Sequence, residues 1–520
     1  MIARTPAARG ATAAVLLALL VPLAGCGGEG GGGDGGDGGG RKGAATGSGS
    51  PAPVPTASRP PEPGKGTKDP DDLNGDGHRD LVLTVPVAKP GSQGAETRLA
   101  VVFGSAGGLD PTRRTLYGRP DLGLPADKGA EQGDAPARAR SVGPVTTADL
   151  DGDGFPDVVA QVSVRLSDEE ARRTGAPMDS RSDTYVTWGG PSGPRRGTGA
   201  VRLRLPAPAA AQGLALVRRG DFDGDGHHDL AGVRQDGKEL DLLYGPFTRS
   251  GAPARTDTRS LPQDQNVAYG TLCVDDIAAS GRPRATGLLV HYGDDGEQAG
   301  GLLFAAAGGG SGDGARGIAA TGRPVRAGNA FAFGDFDGDG ARDLAVGDSG
   351  SRNDEPGYET EPPEVDGAYA VYSGEGGAPA AHRLPKTSGE TGLSTTSTRA
   401  FFAADPDGDG KDGLLVAGPE QVPTAVLLDG DKESARLTRS GPATLDGARI
   451  PADDRRTSVT ATGDFDGDGA DETVVAWATR TLDGTYGTVP VQWWITKGLT
   501  DQDQLTFSTR KLAPVPHSAE

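Results

Sequence analysis

Six times along this 520-residue chain, acids stand at alternate positions of a tight, glycine-containing loop. The first copy reads Asp72, Asn74, Asp76 and Asp80; the second Asp149, Asp151, Asp153 and Asp157; the third Asp221, Asp223, Asp225 and Asp229. Further on come Asp335, Asp337, Asp339 and Asp343, then Asp405, Asp407 and Asp409, then Asp464, Asp466, Asp468 and Glu472. Acids at positions 1, 3 and 5 of such a loop can point their oxygens at one centre, and Ca2+ takes six to eight hard oxygen ligands. Glycine permits the turn. The position-7 carbonyl, from His78, Phe155, His227, Ala341, Lys411 or Ala470, adds an oxygen, and the position-9 acid closes the cage. In the copy that begins at Asp405, position 9 is Gly413 with Asp412 beside it, so that cage is the least complete. The loops carry 22 carboxylates, which repel one another without cations; six Ca2+ would move the formal charge from −20 to −8. About six calcium sites are therefore expected. An EF-hand is excluded, because its closing acid stands at position 12 between helices, whereas position 12 here is Leu83, Ala160, Gly232, Val346, Val416 or Val475, within strand-like sequence.

The elements that must hold these loops are short. Ala330 to Phe333 and Ser458 to Ala461 lead into a loop, and Leu81 to Leu83, Val158 to Ala160, Leu344 to Val346 and Val474 to Ala476 leave one. A third apolar segment follows in most repeats, as in Leu99 to Gly104, Leu242 to Gly245 and Ala370 to Gly374. Between the third and fifth copies, Cys273-Val274-Asp275-Asp276-Ile277 holds the expected place but lacks the glycines and later acids, which makes it a degenerate fourth repeat. Counted from the first acid of each, the seven units start at 72, 149, 221, 275, 335, 405 and 464, leaving room for about four short strands in each. Four-stranded units of this length suit propeller blades, which close into a ring.

Gly334-Asp335-Phe336-Asp337-Gly338-Asp339-Gly340, followed by Asp343-Leu344-Ala345-Val346-Gly347, resembles the FG-GAP repeat of integrin α-subunit propellers and of bacterial VCBS-type proteins. Val101-Val102-Phe103-Gly104-Ser105-Ala106-Gly107-Gly108-Leu109 resembles the strand and turn that come next. The resemblance covers residues 71–512. It implies an all-β, seven-bladed β-propeller whose calcium loops join the first and second strands of each blade, the fourth blade lacking a calcium motif. The segment before Asp72 is poor strand material, which leaves the closure of the ring open; Leu505-Thr506-Phe507-Ser508 either completes the last blade or lends a strand to the first.

Residues 1–25 have the pattern of a signal peptide: Arg4 and Arg9, then an apolar run from Ala11 to Leu23 that is too short to span a bilayer. Leu23-Ala24-Gly25-Cys26 resembles the bacterial lipobox, which implies cleavage before Cys26 and acylation of its thiol. Residues 26–70, rich in Gly and Pro, read as a disordered tether, and 513–520 as a tail. The expected location is the outer face of a bacterial cell membrane. A charge of −20 without clustered Lys or Arg argues against nucleic acid, and two cysteines exclude a disulfide framework.

Other signals carry less. Arg219-Gly220-Asp221 spells an integrin-recognition tripeptide, but Asp221 is a predicted ion ligand. Gly347-Asp348-Ser349-Gly350-Ser351 resembles the start of a serine-protease nucleophile motif, with no partners in convincing places. Of the adjacent Trp493 and Trp494, one is expected in the core and the other exposed or between blades. Two long connections, Arg165 to Asp183 and Asp348 to Gly367, are candidate docking loops. Two classes of function follow: a calcium-stabilised binding or adhesion platform for a protein or glycan, and a propeller-based hydrolase or lyase. The absence of a recognisable catalytic constellation favours the first.

Overall fold

The structure, a computed structural model, describes residues 58–509 apart from 89–94, 127–140, 176–179, 294–297, 307–316, 352–361, 363, 386–399, 419–423, 446 and 480–488. The signal segment, Cys26, the tether as far as residue 57 and the 513–520 tail lie outside the described residues.

Among the described residues, seven antiparallel sheets of three or four strands serve as the blades of a ring, and a small two-stranded sheet, Thr444–Leu445 with Ala448–Arg449, stands between the sixth and seventh. Blade 5 shows the logic. Its inner strand, Ala330–Gly334, runs into the acidic loop, and Asp343–Gly347 returns from it in register, Gly334 facing Asp343. Every residue of Asp343–Gly347 is buried, because both faces of the sheet are covered by neighbouring blades. Such strands read as continuous apolar runs rather than alternations. Ala368–Tyr372 follows, and Ala380–Arg383 forms the outer edge. Outer strands are polar, as in Arg255–Ser260 of blade 3 and Lys432–Leu437 of blade 6, which blunts an exposed sheet edge.

Blade 2 (Val145–Ala148, Asp157–Arg165, Ser180–Thr187, Val201–Arg202) and blade 3 (Leu214–Gly220, Asp229–Arg234, Glu239–Tyr244, Arg255–Ser260) repeat the pattern. So do blade 6, which begins Ala400–Ala404 and Gly413–Ala417, and blade 7, which begins Thr457–Gly463 and Glu472–Thr479. The degenerate repeat is a complete blade 4, starting with Thr271–Val274 and Leu288–His291.

Blade 1 alone has three described strands, Leu81–Ala88, Ala95–Val102 and Arg114–Tyr117. Among the described residues nothing before Asp72 forms its inner strand. Residues 58–70, which composition assigns to the tether, are instead seated on the ring: Arg59 N–H donates to Thr112 O at 2.6 Å, Lys65 to Gly75 O at 2.9 Å and Thr67 to Gly154 O at 2.8 Å. The C-terminal run forms Asp503–Ser508, the outer strand of blade 7, so it completes the last blade.

Closure comes from side-chain packing. Seven apolar clusters each join two consecutive blades, and the last unites Phe465, Val474, Trp493 and Phe507 of blade 7 with Leu81, Leu83, Val85 and Val102 of blade 1. Trp493 and Trp494 are both buried, at 3% and 5% exposure, on opposite faces of one strand: Trp493 packs toward blade 1 and Trp494 toward blade 6. Neither is available to stack on a sugar.

Part of the long connection in blade 2 is regular structure rather than open loop. Its strands extend to Arg165 and resume at Ser180, and Asp168–Thr174 between them is a helix. Ser167 and Glu170 form a capping box there, a signal that four-residue inspection finds and blade-scale periodicity does not. In blade 5, Arg352, Glu355, Tyr358 and Glu361 lie outside the described residues.

Candidate metal centres

Loops 2, 3, 5, 6 and 7 each join the inner and second strands of their blade, and loop 1 leads into Leu81–Ala88 in the same sense, so the six acidic loops lie on one face of the ring. One bonding scheme recurs. The position-1 carboxylate accepts the N–H groups of positions 5 and 6: Asp153 and Gly154 donate to Asp149 at 3.1 and 2.8 Å, Asp225 and Gly226 to Asp221 at 3.1 and 2.9 Å, and Asp339 and Gly340 to Asp335 at 3.1 and 2.9 Å. Asp72, Asp405 and Asp464 are held in the same way. Positions 4 and 6 adopt left-handed backbone, as at Gly152 (φ 72°) and Gly154 (φ 87°), which is why both are glycine.

The position-9 acid ties the loop to the third strand. Asp157 accepts Leu150 N–H at 3.0 Å and Gly189 N–H at 2.7 Å; Asp229 accepts Phe222 and Gly245 at 2.7 and 2.8 Å; Asp80 accepts Leu73 and Gly104, both at 2.8 Å. Asp343 holds Phe336 and Gly374 likewise, and Glu472 holds Phe465. Glycine follows the third strand because a Cβ at Gly104, Gly189, Gly245 or Gly374 would stand 2.4–2.6 Å from a backbone oxygen of the loop. Position 2 plugs the loop into the inter-blade core through Leu73, Leu150, Phe222 and Phe465.

Five loops gather three carboxylate oxygens within 4.8 Å of one another. In loops 3, 5 and 6 these come from positions 1, 3 and 5: Asp221, Asp223 and Asp225; Asp335, Asp337 and Asp339; Asp405, Asp407 and Asp409. In loops 2 and 7 they come from positions 1, 3 and 9: Asp149, Asp151 and Asp157; Asp464, Asp466 and Glu472. Loop 1 replaces one acid by Asn74, whose Nδ2 donates to Glu62 O at 2.7 Å and to Asp76 at 2.9 Å, while its buried Oδ1 has no partner. The Oδ1 of Asp223 is also buried without a partner. Residues 78, 155, 227, 341, 411 and 470 each donate their N–H to the position-5 carboxylate, which turns the chain through position 7.

Burial outweighs these backbone bonds electrostatically. It pushes Asp157, Asp229 and Glu472 up to about 8 and Asp343 to about 6, with the neighbouring loop acids adding to the rise. Asp72, Asp149 and Asp221 rise to about 6 from the same main cause. Converging oxygens that ionise only reluctantly, together with orphaned oxygens in loops 1 and 3, fit a hard cation that would supply the missing charge.

Position 8 also carries a repeated function, one that sequence reasoning missed. Asp412 accepts Asp335 N–H at 2.7 Å, Asp471 accepts Asp405 N–H at 2.9 Å, and His228 Nδ1 accepts Asp149 N–H at 2.8 Å. In loops 3, 6 and 7 the position-8 side chain thus stitches its loop to position 1 of the preceding acidic loop. Blade 4, without a calcium motif, does the same through Thr286, which accepts Asp221 N–H at 2.9 Å. To serve as an acceptor His228 must be neutral, and burial pushes it down to about 4.

Position 8 is basic in loops 1 and 5, and those two arginines, with Arg219 from the inner strand of blade 3, form ion pairs toward the axis. Arg79 donates to Asp69 at 3.0 Å, and Arg342 to Asp275 at 3.1 Å and Asp412 at 2.6 Å. Arg219 grips Asp71 with both terminal nitrogens, at 2.6 and 2.7 Å, and also reaches Asp276 at 3.1 Å. The Arg219-Gly220-Asp221 tripeptide is therefore buried at the axis. Ser349 is 2% exposed, and its Oγ accepts the N–H of Ser351 at 3.1 Å.

Seven sheets, seven inter-blade cores and repeated acidic turns on one face define a seven-bladed β-propeller. No protein-family model and no curated protein matches the chain. Among solved structures it is similar to BBS1N in complex with ARL6DN, with a TM-score of 0.31 and 12% identity over 70% of this chain and 90% of that one. It is similar to AofleA from Arthrobotrys oligospora (0.31, 11%, 70% and 84%) and to the V. cholerae biofilm matrix protein Bap1 (0.24, 11%, 86% and 81%).

Proposed function

We propose that this propeller is a calcium-stabilised binding platform of the FG-GAP kind, held at the outer face of a bacterial membrane by lipid on Cys26. It recognises a protein or a glycan. The observation that carries the reading is the set of acidic loops on one face, five of which bring carboxylate oxygens within 4.8 Å of one another on a frame set by the blades. Ca2+ bound there would neutralise those carboxylates and fix the strand turns, leaving the connections on the opposite face to vary. Asp168–Thr174, with no buried residue, projects from that opposite face and supplies charged side chains for a partner. Two acyl chains on Cys26 would anchor firmly, since each buried methylene contributes about 0.8 kcal/mol.

The test expresses the wild type and Cys26→Ala, fractionates membranes, and screens the protein against glycan arrays and cell-surface proteins in calcium and in chelator. The reading expects Cys26→Ala to leave the membrane fraction, and at least one ligand to be bound in calcium and released by chelator. A membrane-bound Cys26→Ala removes the anchor; turnover of a glycan or ester substrate in place of calcium-dependent binding would make the protein an enzyme.

A further inference from the structure

The connection between the third and fourth strands of blade 3 touches two acidic loops at once. From it Arg249 reaches back to loop 2, where Nε lies 2.6 Å from Asp151 Oδ2 and Nη2 lies 2.5 Å from Asp153 Oδ2. The main chain docks beside it, Phe247 N–H donating to Leu150 O at 2.6 Å. Arg255, at the end of the same connection, pairs with Asp223 Oδ2 of loop 3.

The two arginines act differently. Arg255 holds the far oxygen of one carboxylate and leaves the buried Oδ1 of Asp223 unpartnered, and Asp221, Asp223 and Asp225 remain gathered. Arg249 binds two carboxylates, and in its loop Asp153 is absent from the gathered set. Loop 7 provides a second instance: Lys497 Nζ lies 3.7 Å from Asp468 Oδ2, and Asp468 is likewise absent. In loops 5 and 6, where the position-5 acids Asp339 and Asp409 form no ion pair among the described residues, position 5 belongs to the set. A basic side chain on position 5 therefore goes with its withdrawal from the centre.

Resting on the calcium reading of the loops, we infer that Arg249 is a built-in counter-cation that lowers the ion affinity of loop 2. It draws off one ligand, neutralises another and places a positive charge beside the ion. Loop 3, with Arg255 orienting Asp223, fills at lower ion concentration than loop 2.

Trp188 makes loop 2 readable by itself, because the Arg249 guanidinium lies 5.7 Å from the centroid of its ring. In the full chain, terbium(III) luminescence sensitised by Trp188 is titrated and then displaced with calcium; the component lost in Trp188→Phe belongs to loop 2. Arg249→Gln, at a side chain 45% exposed, is expected to tighten that component on the order of tenfold, the effect of removing one positive charge about 5 Å from a divalent ion in a water-like medium. Arg249→Lys, which keeps the charge, gives back most of the difference. Unchanged or weaker loop-2 affinity in Arg249→Gln, with the other components intact, overturns this inference alone. A wild type that binds no ion in any loop overturns it together with the calcium reading.

Discussion

Replacing Asp335 by Asn separates an ion ligand from a loop cap. Asp335 Oδ1 accepts Gly338 and Asp339 N–H at 2.8 and 3.1 Å, and Oδ2 accepts Gly340 N–H at 2.9 Å. The amide keeps one acceptor but turns its NH2 toward a backbone donor, a loss of about 1 kcal/mol for one hydrogen bond. Removing one charge from the cluster with Asp337 and Asp339 offsets part of that loss, so in chelator the variant should melt close to the wild type. In calcium at about a hundred times the wild-type dissociation constant, the site contributes about 2.7 kcal/mol to the wild type alone. With an unfolding entropy of about 2.1 cal/mol/K per residue over about 450 residues, that is about 3 °C of extra loss. Five such loops together would separate calcium from chelator by about 14 °C in the wild type. The measurement is scanning calorimetry of both proteins in both buffers. Equal shifts with and without calcium would mean that Asp335 only caps the turn, and the ion-ligand argument for all six loops would fall with it.

Without calcium, stability should fall as pH rises from about 4 to 8: Asp157 and Asp229 keep their protons in the ring up to about 8, whereas the unfolded chain releases them near 4. Each contributes up to about 1.4 kcal/mol per pH unit, and calcium should flatten the slope; urea melts at pH 5 and pH 8, with and without chelator, check the sign. Arg219→Met leaves buried Asp276 and partly buried Asp71 with one cation fewer and should cost about 3 kcal/mol, read from denaturant midpoints. Asp71→Asn added to it should recover part of that loss, and a double variant no more stable than the single one would remove the ion pair as the cause.

The propeller and the members of its acidic loops were legible because they repeat at one register: alternate acids, the glycines of each turn and the short apolar runs on either side say the same thing six times. Even the degenerate Cys273 to Ile277 unit could be placed, since its flanking strands persist where its acids do not. Three features were hidden, each for its own reason. Residues 58–70 have the composition of a tether, yet Asp69 completes an ion pair with Arg79, and Thr67 N–H donates to Gly154 O in the second blade, contacts that composition averages out. The partition of the loops into two ligand sets goes with Arg249 and Lys497, which approach from strand connections outside the nine-residue motif.

Position 8 escaped for a third reason: its residues share a task and not a chemistry. Asp412, Asp471 and His228, with Thr286 standing in for them in blade 4, have in common only an acceptor that meets the first N–H of the preceding loop. A contact made by different residue types at one register leaves no consensus. Yet it links four of the candidate ion sites, loops 2, 3, 5 and 6, to the next blade, so an ion that tightens position 1 of one of these loops also tightens the inter-blade seam beside it. Calcium bound at these loops would therefore act on the cooperativity of the whole ring as well as on single turns.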